Sequence, residues 1–409
     1  MEKKTAVPSP AGGSLALPAS EAVSAAAVAR PKAGIRLLFV DNIRVFLTIL
    51  VILHHLMIVY AGTGSFPYTE GREDVVVNAL GGWFCAINQA YFMGLFLLIS
   101  AYFVPGSYDR KGAGRFLKDR LIRLGIPLVL YTWVIAPLFT YALNYDQIRM
   151  PFFRYFPGEY FSRGNPVLGA GPLWFVEVLL IFSLAYVVWR LATRSRPPRP
   201  VVEARFPSNG AIALFALLLG VATFLVRQVF IMDEYFFEPL NLQLPFFVQY
   251  IALFILGLIA YRRGWLLSLP DRVGRLWLGL AVLLILLWAP LMLAGGAIED
   301  DLPFKGGLHW QAFAYALWES FLCLSMCIGL IYAFRRYLNR RGKIAGFLVP
   351  NAYTAYLIHA PVITYLAIAL SGLMLYPLLK WVLVAAVAVP LCFALGGLIR
   401  KIPYADRVL

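Results

Sequence analysis

His54 and His55 lie deep inside an apolar run, Phe39 to Tyr60, that also carries Asp41 and Arg44 near its start. Ionisable groups at membrane depth cost on the order of several kcal/mol, so a chain keeps them facing a protein interior or a cavity. An imidazole in such a place serves as a general base or a nucleophile, because burial favours its neutral form. The same position also suits a histidine hydrogen-bonded between packed helices. Spacing separates the two histidines. On a helix, Arg44 and His55 return to within ~20° of one face and stand roughly 16 Å apart along the axis. Thr48 and Val51 share that stripe, Asp41 is a neighbour of Arg44 at i,i+3, and His54 points about 100° away. His55 is the candidate for chemistry and His54 for structure. Arg44 suits either the charged mouth of this face or a snorkelling side chain paired with Asp41.

Other residues are placed to assist. A basic stretch ending at Arg123 contains Arg115, Lys118, Arg120 and Arg123. Arg120 and Arg123 share a face on a helix entering the next apolar run, as a phosphate-bearing ligand requires. Positive-inside anchoring and attraction to anionic lipid are what such clusters usually represent. Trp174 and Glu177 occupy the start of an apolar run in GPLWFVEVLL, and Glu319 lies about two turns into another. Each carboxyl suits an acid/base role or a helix–helix hydrogen bond. Tyr353, Tyr356 and His359 fall on one broad helical face, where His359 either lines a cavity or packs. Arg227 and Lys380 sit near helix ends and are expected to snorkel. The segment FFRYFPGEYFSRGNP, rich in aromatics and Arg, suits a membrane interface or stacking on sugar rings.

The elements that must hold these residues follow from composition. The chain is 61% hydrophobic and 14% charged, with a mean hydropathy of +0.75. Soluble domains carry far more charge, so the expected fold is an all-α polytopic membrane bundle. Ten apolar runs, at about 38–61, 75–104, 124–145, 172–193, 210–232, 244–261, 274–295, 311–333, 345–370 and 377–399, each approach the length that crosses a bilayer. The stretch 105–123 reads as a basic loop between two of them. Residues 1–36 read as a flexible tail and 402–409 as a short one. Lys and Arg number 27 on one side of this arrangement and five on the other, which predicts cytoplasmic termini. The net charge of +15 is thus topological, and nucleic acid is not an expected partner. Cys85, Cys323, Cys327 and Cys392 all lie in apolar runs and read as free thiols, with no metal site expected.

Taken together, these pieces resemble the acyltransferase-3 family of integral-membrane O-acyltransferases. The likeness rests on the DNIR opening with Arg44, ten intervening residues and His55, and on Arg120-Leu-Ile-Arg123. LFLLISAYFV, with Ala101 where the family usually has Gly, GPLWFVEVLL and AYLIHAP add to it, over roughly residues 36–400. The resemblance implies an acyltransferase-3-like domain over 37–401 in a bacterial inner membrane. It also implies acyl transfer, often acetyl from acetyl-CoA, to a hydroxyl of an extracytoplasmic or lipid-linked glycan. On that basis His55, Arg44 and Asp41 form the expected catalytic group, and Arg120, Arg123, Lys118 and Arg115 the donor-binding group. Glu177, Trp174, Glu319 and His359 are expected on the acceptor side. A transporter or flippase for a lipid-linked sugar is the rival class, since proton relays also bury charges and histidines, although no internal repeat is evident.

Overall fold

A backbone in hydrocarbon must satisfy its own hydrogen bonds, and a run of about twenty apolar residues does so as a helix. The computed structural model contains ten helices long and apolar enough to cross a membrane. They are α1 (Leu38–Ala61), α2 (Val75–Tyr102), α3 (Val104–Leu143), α4 (Gly171–Ala192), α5 (Asn209–Val226), α6 (Leu244–Arg263), α7 (Asp271–Ala294), α8 (Trp310–Tyr337), α9 (Lys343–Ala369) and α10 (Pro377–Ile399). The structure describes residues 37–409 apart from 72–73, 164, 166–169, 194–200, 203, 235, 238–239, 241, 298 and 300–301. The tail expected over 1–36 therefore lies outside the described residues. Among those described there is no β-strand, only an isolated bridge between Phe237 and Leu242.

α1 and α2 are the most enclosed helices, with 72% of their most apolar stretch buried against 11% for α7. The histidine-bearing helix is thus wrapped by protein, while α7 presents its surface outward. α1 packs on α2, α8, α9 and α10, and Ile52, Leu56 and Val59 form a core with Ala355, Ile363 and Phe393. Small residues allow the closest crossings. At Gly257 on α6 a Cβ would stand 2.3 Å from the Leu98 carbonyl oxygen of α2, so no side chain fits there.

The basic stretch expected as a loop is helical instead. α3 begins at Val104, bends at Gly112 (φ 73°), and runs on to Leu143 through wide π turns at Leu121–Gly125 and Tyr131–Ile135. Each wide turn closes two residues before a proline, Pro127 or Pro137. Proline lacks an N–H and crowds the carbonyl four residues back, and a widened turn relieves both problems. For Pro127 that carbonyl belongs to Arg123, and it accepts the Tyr353 hydroxyl at 2.6 Å.

Two cations expected to snorkel are buried. Arg227, just beyond α5, is 1% exposed; its Nη2 lies 2.6 Å from Glu319 Oε2 of α8, and its guanidinium stands 5.2 Å from the Phe246 ring. Lys380 of α10, 4% exposed, donates to Glu70 Oε2 at 2.5 Å and sits over the Tyr60 ring. In each case another element brings a carboxylate to the cation, which removes the reason to reach for the interface.

Candidate active site

α1 carries His55 about five turns from its first residue. Its Nδ1 lies 3.0 Å from the Val51 carbonyl one turn back and 3.2 Å from His359 Nε2 on α9. His359 is fully buried, and its own Nδ1 is 2.5 Å from the Tyr356 carbonyl. A carbonyl only accepts, so the hydrogen-bond pattern assigns the proton to Nδ1 of both rings. His359 Nε2 then accepts from His55 Nδ1–H, and the lone pair of His55 is on Nε2. The result is a neutral imidazole held in one tautomer with its basic nitrogen turned away from its supports, which is what a general base or nucleophile requires. The His359 ring lies 4.9 Å from that of His55, and the Phe66 ring, from the connection between α1 and α2, lies 5.1 Å away on centroids. His54 faces elsewhere: it packs on Phe92 of α2 at 5.0 Å, and its buried Nδ1 has no hydrogen-bond partner.

Toward the N-terminal end of α1 the site becomes cationic. Arg44 pairs with Asp41 at 3.7 Å and lies over the Phe103 ring. Arg120 lies over Phe116, with Arg123, Arg44 and Tyr353 all within electrostatic range of it. Three arginines from two separate helices thus share one region, with the carboxylates of Asp41 and Asp119 beside them. Arg115 and Lys118 are exposed on the first part of α3 and no ion pair joins them to this group among the described residues. Tyr353, Tyr356 and His359 climb α9 from the arginines to His55, roughly 9 Å along its axis.

The residues expected on the acceptor side divide. Trp174 stacks on Tyr250 of α6 at 5.3 Å. One turn on, Glu177 is buried; the Ala170 backbone N–H bonds its carboxylate, while Oε2 has no partner. The Tyr356 hydroxyl donates to the Pro172 carbonyl at 2.9 Å, tying the start of α4 to the turn of α9 that supports His359. Glu319 is not brought to this group: it is spent on Arg227. Among the described residues, no three His, Cys, Asp or Glu side chains converge as a metal site. Sequence reasoning missed Phe66 and Glu70. Both sit in a short polar connection with no periodic pattern, and the contacts that distinguish them reach back to α1 and across to α10.

Comparison with known proteins bears on what this arrangement belongs to. The family model described as Acyltransferase domain matches residues 37–397. A glucans biosynthesis protein C of Salmonella heidelberg (strain SL476) is 26% identical over 252 residues, 54% of this chain and 58% of that protein. Proteins of the same name from Salmonella schwarzengrund (strain CVM19633) and Salmonella typhimurium (strain LT2) are 25% identical over the same shares. The chain therefore covers less than two thirds of the length of these relatives. No solved structure gives a significant match. With the family match extending over nearly all of the described helices, the chain belongs to the acyltransferase-3 family and is a multi-pass membrane protein.

Proposed function

We propose that this protein is a membrane-embedded O-acyltransferase that moves an acyl group, acetyl in the first instance, from acyl-CoA to a hydroxyl of a glycan. The observation that carries the reading is the His55–His359 pair, which leaves a lone pair on His55 Nε2 above a cluster of three arginines. The donor's phosphates meet Arg120, Arg123 and Arg44, whose planar guanidinium groups suit phosphate oxygens. Its pantetheine arm follows Tyr353 and Tyr356 towards His55. His55 Nε2 takes the proton of the acceptor hydroxyl as that oxygen attacks the thioester carbonyl. The tetrahedral intermediate collapses with loss of thiolate, which takes the proton back from Nε2. While His55 is charged, the Val51 carbonyl and His359 Nε2 accept from its Nδ1–H and stabilise it. Trp174 offers a ring face for a sugar and Glu177 Oε2 an acceptor for one of its hydroxyls.

The Salmonella relatives support a bacterial inner membrane and, by their name, a glucan as acceptor, and the distribution of Lys and Arg supports both termini in the cytoplasm. Donor then arrives from the cytoplasm and acceptor from the outer side, where α1 ends six residues beyond His55. The test is incubation of the purified protein with acetyl-labelled acetyl-CoA and a bacterial glucan fraction. Release of CoA thiol together with label on glucan, removable by mild base as an ester, is the expected result. Absence of both from folded protein would overturn the reading.

A further inference from the structure

The connection between α1 and α2 turns back into the molecule. Gly62 ends α1 in the left-handed region (φ 67°), and Gly71 returns so close that a Cβ on it would stand 2.8 Å from Gly62 Cα. The two ends of residues 62–71 are therefore pinched together, and only glycine fits at the crossing. Three further contacts hold this closed loop down. The Glu70 N–H donates to the Val59 carbonyl at 2.7 Å, the Glu70 carboxylate takes the buried Lys380 ammonium, and the Tyr68 hydroxyl donates to the other carboxylate oxygen at 3.2 Å. At the tip, Phe66 packs against the core shared by α1, α9 and α10 and lays its ring 5.1 Å from His55. An exposed polar loop has no need of a buried lysine clasp, nor of an aromatic ring seated on a functional histidine. Both observations are explained together if the ring's position matters to the chemistry.

We propose that Phe66, held by the Glu70–Lys380 clasp, is the residue that decides between transfer and hydrolysis: it covers His55 against water until an acceptor displaces it. This rests on the acyltransferase reading. A base poised to deprotonate a hydroxyl deprotonates water equally well. In the unwanted reaction the oxygen of water attacks the thioester carbonyl, the C–S bond breaks and a C–O bond forms. The water's proton passes through His55 Nε2 to the thiolate, giving free carboxylic acid and CoA. The acceptor hydroxyl differs from water only in what it is attached to, so discrimination must come from access. An apolar ring on the outer side of His55 excludes a small polar molecule that cannot displace it. A sugar bound at Trp174 and Glu177 brings enough binding energy to move it.

The experiment uses the full chain in detergent or nanodiscs with acetyl-labelled acetyl-CoA and no acceptor, reading thiol release and labelled acetate. Phe66→Ala raises acceptor-free hydrolysis several-fold over wild type, and adding His55→Ala to it abolishes the gain. Phe66→Tyr, which keeps the ring, raises hydrolysis less than Phe66→Ala. Lys380→Met, which releases the loop without touching the ring, moves hydrolysis in the same direction as Phe66→Ala. A loss of fold lowers every rate, so a gain of His55-dependent hydrolysis is not a structural artefact. Label transfer to a glucan fraction is measured in parallel. Wild-type transfer with unchanged hydrolysis in both Phe66→Ala and Lys380→Met overturns this proposal alone. Absence of His55-dependent transfer in folded wild type overturns the acyltransferase reading beneath it.

Discussion

His55 Nδ1 lies between two acceptors, the Val51 carbonyl and His359 Nε2, and the three histidines His54, His55 and His359 consequently have unequal roles. His359 touches no reacting atom in the proposed mechanism; it orients His55 and accepts from its charged form. His359→Ala should lower turnover by at least roughly 10–100-fold, the scale found when the hydrogen-bond partner of a metal-ligating histidine is removed. His359→Gln, whose amide oxygen can accept, should restore part of that loss, with the apparent affinity for acetyl-CoA little changed in both. The arginines belong to binding. Arg120→Ala and Arg123→Ala should each weaken CoA binding and flatten its dependence on ionic strength, as titration calorimetry at two salt concentrations would show. Unchanged affinity in both would return the cluster to membrane anchoring. The spacing from Arg44 to His55 was legible in the sequence because both residues belong to one helix, whose geometry is fixed. The partner of His55 was less so. His359 lies 304 positions away, and helix geometry alone favoured a packing role for it over a cavity-lining one.

At the scale of elements, buried ion pairs join helices that the sequence treats separately. Arg227 and Glu319 are almost wholly enclosed, so removing one leaves the other as an uncompensated charge. Arg227→Met should destabilise the fold by about 3–5 kcal/mol, and Arg227→Met with Glu319→Leu should recover most of it. Thermal unfolding of the detergent-solubilised variants tests this, and equal stability of the single and double variants would contradict it. The helices themselves were readable from apolar length, since hydrocarbon leaves an isolated run no other structure. Snorkelling was a fair expectation for Arg227 and Lys380 from depth along one helix, but depth says nothing of the carboxylate that a neighbour supplies. The helical course of 105–123 was hidden for a different reason. Its glycines and charges read as a loop, whereas packing against α4 and α6 makes it a bent helix.

For the whole molecule, the proposed chemistry needs two compartments: a cytoplasmic donor and an outer acceptor meeting at one histidine. Reporter fusions after Arg123, Arg205 and Arg341 should report cytoplasm, and fusions at Ser162 and Lys305 the outside; reversal at any two sites would remove the basis for the donor path. The claim on which the rest depends is that His55, rather than its neighbour, does the chemistry. It is tested most directly by turnover of labelled acetyl-CoA by His55→Ala and His54→Ala, matched for folded protein by size-exclusion profile. Loss of roughly 10²–10⁴-fold in His55→Ala, beside His54→Ala that keeps most of its activity, is the predicted result. An active His55→Ala enzyme, whatever His54→Ala does, would contradict it.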